Sequence, residues 1–445
     1  MTCTPPHWPV AAAIVLFVSA AGCQEVIIAC AADGTCPAGN ICVGGLCKSD
    51  PVGDAHGAVV ADTSDGVGNL GCKAAVTGGP SARSGSAGGV LSGRLLLLGG
   101  DDAPNTPCTH KGTTAKGAWQ LTWCEGWSKI GGDLPQNRSD AASAAAVGGE
   151  AIALYGGRQR AGAGGNWLLF GDVWLRTDKD DWTRLATGGP PPRARAGLGL
   201  TKTGQMFLHG GDAGTSDGFV VALADTWRFD TDAGKWERIF PPGGPGKRYG
   251  HAAAMTRDDA YMILVGGRAD STGPLLGDTW RLDVQATTWQ QIGSGMYGPS
   301  GRQGSGLIAI PGDPRLLFFG GRDAAIGPRN DLWVLDPSNG GWELTVGGDT
   351  GAGGAYSLPR NAGDQPCSPP ADFMSVADTA PAARSDFVWG YEPKSARLWL
   401  AGGRGICGPL RDAWSLHLPS VSWQRHEASE DGWSCPRRGG ACDHW

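Results

Sequence analysis

An apolar run ends in Gly-Gly, a Trp follows, and a second Trp comes eight or nine residues later; this order recurs six times along the chain. The runs are Leu95–Gly100, Ile152–Gly157, Met206–Gly211, Met262–Gly267, Leu316–Gly321 and Leu398–Gly403. The paired positions are Trp119/Trp127, Trp174/Trp182, Trp227/Trp236, Trp280/Trp289, Trp333/Trp342 and Trp414/Trp423. A fixed period of roughly fifty residues means one supersecondary unit copied, not a single mixed core.

Each unit reads as four short strands joined by tight turns. The first opens with small residues, as in Ser84–Gly89, Ala141–Ala146, Ala196–Leu200 and His251–Ala254. Small side chains suit the innermost strand of a blade, where six strands crowd a narrow channel. The apolar run is the second strand, buried between blades. The Gly-Gly that ends it permits backbone angles and close approaches that other residues do not. The third strand carries the first Trp, as in Asp278–Asp283. A polar turn such as Asp336–Gly341 then reverses the chain, and the fourth strand starts at the second Trp. Twelve of the 19 Trp hold these repeat positions, so they are expected to pack blade against blade.

With an Asp two residues before the first Trp (Asp172, Asp225, Asp278, Asp331 and Asp412), the unit resembles the kelch repeat from Arg83 to Trp423. The resemblance implies an all-β fold, a six-bladed kelch β-propeller over residues 72–425, with that Asp holding the turn into strand three. The first unit departs from it, having Gly117 in place of the Asp, and the sixth carries an insertion from Thr345 to Ala380.

A small disulfide-rich module and a flexible tether are expected to precede the propeller. Residues 1–22 read as a signal peptide, because Val10–Gly22 is apolar but too short to span a bilayer. The stretch Ala20-Ala21-Gly22-Cys23 resembles a bacterial lipobox, with Cys23 the lipidated residue. Ala20 stands where Leu is usual, so ordinary cleavage after Ser19-Ala20-Ala21 remains an alternative. Thirteen cysteines imply an oxidising compartment. Residues 23–48 form the module, where Cys30, Cys36, Cys42 and Cys47 resemble two-disulfide modules of secreted proteins. No CxxC pair marks a zinc site. Residues 49–71 are a Gly/Asp-rich linker, and 426–445 a cysteine-containing tail. Three further disulfides are expected among Cys72, Cys108, Cys367, Cys407, Cys435 and Cys442, with Cys124 unpaired. The location is then extracytoplasmic: an outer-membrane or cell-surface lipoprotein, otherwise periplasmic or secreted.

Strand alternation puts the links from strand two to three and from blade to blade on one face. These are long: Asp101–Gly117, Arg158–Gly171, Asp212–Ala224, Arg268–Gly277 and Arg322–Asn330. Links on the other face are short, such as Thr201–Gln205. Long loops on a rigid scaffold tend to carry binding residues. Arg83, Arg138, Arg195, Arg248, Arg302 and Arg384 open strand one near the channel mouth, either as blade-to-blade partners or as a basic site. Behind the diglycines follow Arg158, Arg268, Arg322 and Arg404, with Asp101 and Asp212 in the other two blades. Trp167 lies outside the repeat positions, in a loop of this face. The candidate binding set is therefore Arg158, Trp167, Asp212, Arg268, Arg322 and Arg404, with Arg248 and Arg302 from the ring.

Net charge is −6 with Arg spread evenly, which gives no nucleic-acid footprint. No nucleophile elbow, phosphate loop or HExxH helix is present. The expected role is a monomeric recognition scaffold binding a protein or glycan through the long-loop face. It would touch a membrane through its lipid anchor alone, and no cofactor, metal or catalytic residue is assigned. A carbohydrate-active enzyme is the alternative. A kelch-propeller sialic-acid epimerase resembles this design but implies an Arg and a Glu at the mouth, and no Glu lies in these loops, so an Asp or a tail Glu would have to substitute. A galactose-oxidase-like copper site implies two His and a Tyr, and Tyr249 with His251 is the only nearby pair.

Overall fold

A computed structural model describes four short strands before residue 50 and residues 79–427, except 103–112, 123–125, 132–134, 163–165, 180, 187, 215–218, 232, 326, 347–379 and 406–407. The chain divides into two units, Met1–Leu70 and Gly71–Trp445. In the first, Val15–Phe17, Val26–Ala29, Asn40–Val43 and Leu46–Ser49 form one antiparallel sheet, the fourth strand between the second and third. Its register sets Cys42 opposite Cys47. Cys23 and every other candidate disulfide cysteine lie outside the described residues, as does Cys124.

The second unit holds six four-stranded antiparallel sheets. Blade 1 consists of Ala87–Leu91, Arg94–Leu98, Ala118–Thr122 and Gly126–Ile130. Blades 2 to 6 run over 142–186, 197–239, 252–293, 306–346 and 388–427. Each blade draws its four strands from one continuous stretch of chain, so no strand is exchanged to close the ring. The six-bladed kelch propeller expected from the repeat is the observed architecture.

The repeat explains the packing. Second strands are sandwiched between neighbouring blades, and Leu95, Ile152, Met206, Met262, Leu316 and Leu398 are fully buried. Each such side chain contributes about 1.5–3 kcal/mol by leaving water. First strands are crowded about the axis: a Cβ on Gly197 would come within 2.5 Å of His251 Nε2, and one on Gly390 within 2.5 Å of the Val90 backbone. The junction of blades 6 and 1 has the same kind of core as the others, with Val90, Leu97 and Trp127 packed with Val388, Trp399 and Ala413.

The diglycines stitch the ring together. The second Gly of each pair donates its N–H to the carbonyl of the Arg that opens the next blade. Gly100 thus reaches Arg138, Gly157 Arg193, Gly211 Arg248, Gly267 Arg302, Gly321 Arg384 and Gly403 Arg83, all at 2.8–2.9 Å. That carbonyl lies where a side chain on the first Gly would go: a Cβ on Gly266 would sit 2.7 Å from the Arg302 oxygen. Both positions must therefore be glycine.

Candidate functional site

The arginine that opens each blade is spent on structure. In blade 5, Arg302 Nη1 donates to the Gly320 carbonyl (3.1 Å) and to Asp331 Oδ1 (2.6 Å), while Nη2 reaches Asp331 Oδ2 (3.0 Å). Trp333 Nε1 donates to the same carboxylate at 2.8 Å. The same Arg–Asp–Trp clamp recurs as Arg138–Asp172–Trp174, Arg193–Asp225–Trp227, Arg248–Asp278–Trp280 and Arg384–Asp412–Trp414. Burial works to raise the Asp172 carboxyl, but the hydrogen bonds from Arg138 hold it below the usual carboxylate range. The repeated Asp thus anchors the strand-one Arg, rather than only a turn. Gly117 leaves Arg83 without this carboxylate, and burial lowers that guanidinium to about 10.

Two expectations are corrected here. Arg248 and Arg302, taken as binding candidates, are buried with their guanidiniums engaged in bidentate ion pairs. In blade 3 the structural arginine is Arg193, not Arg195; its side chain is fully buried against Asp225. Arg195 stands two residues further in.

That inner position forms a second ring. Its members are Gly85, Asp140, Arg195, Gly250, Gly304 and Asp386, each with φ between 56° and 69°. Each N–H donates to the carbonyl of the preceding member, and Gly85 completes the circle on Asp386, all at 2.7–2.8 Å. Three blades fill this left-handed position with Gly. The other three use ionisable residues, at about 1–2 kcal/mol of backbone strain each. The ring rims a cavity of about 210 Å³ along the axis, lined mainly by Gly, Ala, Ser and apolar residues. Among its described lining residues, Asp140, Arg195 and Asp386 are the ones with carboxyl or guanidinium side chains.

Their environments differ. Asp140 Oδ2 accepts from Arg158 Nε at 2.7 Å and lies 3.4 Å from Arg195 Nε. Burial opposes its charge, but Arg195 and Arg158 hold it below the usual range. Asp386 accepts from Ser385 Oγ at 2.7 Å. Burial, reinforced by Asp140, raises its carboxyl above the usual range. Sequence reasoning missed Asp140 and Asp386. Their signal is the triplet Arg-x-Gly of blades 1, 4 and 5, against Arg-Ser-Asp in blades 2 and 6 and Arg-Ala-Arg in blade 3.

The residues behind the diglycines are each bridged by backbone to the segment that leads into their blade's first strand. Arg158 braces Asp140. Arg404 Nη2 donates to Ser84 Oγ at 3.1 Å, and Arg268 Nε to the Gly273 carbonyl at 3.0 Å. Asp212 is buried, and its Oδ1 accepts from Gly214 and Val221 N–H, which orders its own loop. Arg322 is exposed. Trp167 sits on the hairpin Arg158–Arg160/Trp167–Leu169, with the Arg158 and Arg160 guanidiniums stacked 4.0 and 4.2 Å from its ring. Its π surface is thus occupied and does not offer the stacking face expected for a sugar. His251, near Tyr249 in sequence, packs edge-on to His209 in the core between blades 3 and 4. Among the described residues no group of three or more His, Cys, Asp or Glu is gathered as a metal would need.

Further out, the same face carries an apolar arc. Leu168, Phe219, Val221, Phe240, Met296 and Tyr297 are 45–84 % exposed, all in links of blades 2 to 4. They are six of the eight large hydrophobic side chains exposed among the described residues; the other two are Leu344 and Val421.

Comparison with known proteins agrees with the architecture. The model of the KLHDC2/KLHL20/DRC7 Kelch-repeats domain matches residues 40–258 and 241–352. F-box/kelch-repeat protein At1g51550 of Arabidopsis thaliana is 30% identical over 235 residues, 48% of this chain and 47% of that protein. Serine/threonine-protein phosphatase BSL2 of Arabidopsis thaliana is 32% identical over 176 residues, covering 37% and 16%. Putative adagio-like protein 2 of Oryza sativa subsp. japonica is 30% identical over 285 residues, covering 60% and 41%. The matched part is less than half of each relative. These relatives are plant proteins, and none of their names describes an exported bacterial lipoprotein, the type expected from the leader.

Proposed function

Because the chain belongs to the KLHDC2/KLHL20/DRC7 kelch-repeat family, we propose that it is a protein-recognition scaffold that takes its partner on the long-loop face of blades 2 to 4. The observation that carries this reading is the apolar arc. Exposed apolar side chains gathered on one face mark interaction sites, whereas scattered ones are ordinary. Aromatic and Met side chains are also the types enriched in interface cores. A glycan ligand has less support, since Trp167 is stacked by two arginines.

The test is site-specific photo-crosslinking in the native cell. A photoreactive residue at Phe240 or Tyr297 is expected to give a discrete protein adduct, and one at Val421 none. Equal labelling at all three positions would refute the assignment of the face. Export and lipid anchoring belong to the same reading and are supported by Val10–Gly22 and the cysteine content. Cys23→Ser is expected to release the chain from the membrane fraction; unchanged membrane retention would refute the anchor.

A further inference from the structure

We propose that the inner ring at the channel mouth is a binding site for a small carboxylic acid that bears a hydrogen-bond donor next to its carboxylate. Arg195 would take the carboxylate, and Asp386 the donor.

The argument starts from what Arg195 does not do. The six arginines that open the blades all hydrogen-bond to carbonyls, and five also clamp an aspartate. The Arg195 guanidinium, by contrast, makes no such hydrogen bond. Its Nε is buried without a hydrogen bond and forms a loose ion pair with Asp140 Oδ2 at 3.4 Å, while the guanidinium flanks the Tyr249 ring at 5.9 Å. A guanidinium is a planar fork of donors matched to a carboxylate. Here it is held over a cavity in a strained backbone position where three sister blades have Gly, and strain of that kind persists where a function needs it.

A further polar group stands beside the ring, next to Gly304. Gln303 Oε1 is buried without a partner, and its side chain leans over Gly250 of the ring. The Asp386 carboxyl is held by Ser385 alone through Oδ2. A ligand that brings both an oxyanion and a donor satisfies these groups together. Inorganic phosphate, partly a dianion at neutral pH, would bring more negative charge against Asp140 than a carboxylate does. The cavity of about 210 Å³ suits a molecule of few heavy atoms.

The experiment is calorimetric titration of the full chain with acetate, lactate, free glycine and inorganic phosphate. Lactate or free glycine is expected to bind about tenfold more tightly than acetate, the effect of one added hydrogen bond to a charged group. Which of the two binds identifies the donor as hydroxyl or ammonium. Arg195→Gly places in blade 3 the residue that blades 1, 4 and 5 already use, so it is expected to fold and to bind none of the probes. Asp386→Gly should keep acetate binding and lose the preference for lactate or free glycine. Absence of saturable carboxylate binding at millimolar concentration, wild-type affinity in Arg195→Gly, or phosphate binding as tightly as the carboxylates would each overturn the proposal.

Discussion

Acid should destabilise this propeller through the junction between blades 3 and 4. His209 is 1% exposed and His251 7%, their rings edge to edge with centroids 5.7 Å apart. His209 Nδ1 meets Thr226 Oγ1 at 3.0 Å, but its Nε2 and both nitrogens of His251 are buried without a partner. What favours an imidazolium there, Asp225 and the Gly246 backbone at His209 and the His209 backbone at His251, is outweighed by burial. Burial, with Arg248 adding repulsion, lowers His209 to about 3. Burial and then His209 itself push His251 well below its ordinary value. The unfolded chain takes up these protons near pH 6.5, while the folded chain refuses them. Stability is therefore full above about pH 6.5 and falls as the pH drops from there towards about 3. For His209 alone, moving from about pH 8 to about pH 5 should remove about 2 kcal/mol, and His251 adds to the loss. Urea unfolding at both values reads this directly. His209→Phe keeps the ring and removes the titration. It should cost about 1 kcal/mol at the higher pH through the Thr226 bond, yet lose less on acidification than wild type. Carboxylates shared by both proteins cancel in this difference. If the double variant His209→Phe/His251→Phe lost as much stability as wild type between the two values, the reasoning would be refuted.

Two further outcomes test the scaffold. Asp331→Ala leaves Arg302 buried without its carboxylate, so urea unfolding should show a loss of about 3–5 kcal/mol; a loss below about 1 kcal/mol would mean the clamp is not structural. Gly99→Ala puts a methyl group against the Arg138 carbonyl of the next blade, at positive φ, and should cost about 2–4 kcal/mol. Gly131→Ala has nothing within 4 Å of the new Cβ and should leave the melting temperature unchanged.

The blades were legible in sequence because each physical demand repeats. Burial on both faces makes the second strand a continuous apolar run, axial crowding selects Ala and Gly in the first, and carbonyl stitching demands Gly-Gly at its place in every unit. The charged rim was harder to read because its defining residues break the repeat. Pro-Arg-Ala-Arg at 192–195 offers two arginines for one structural place, and only the Arg-x-Gly triplets elsewhere show that Arg193 is the clamp and Arg195 the intruder in a glycine position. The stacking of Arg158 and Arg160 on Trp167 was invisible for another reason. It depends on how an irregular link folds back on itself, and no pattern along the chain encodes that.

The two concentric belts of backbone hydrogen bonds also bear on how this molecule comes apart. A linear array of repeats has ends, and ends fray, so partial melting is open to it. Here blade 6 meets blade 1 through the same Gly403–Arg83 and Gly85–Asp386 bonds that join every other pair. A circle of equal joints has no terminal repeat at which loosening can begin. Removing any one blade costs two junctions at once, so a single melting step is the natural behaviour of the ring, and local damage in one blade is felt by all six.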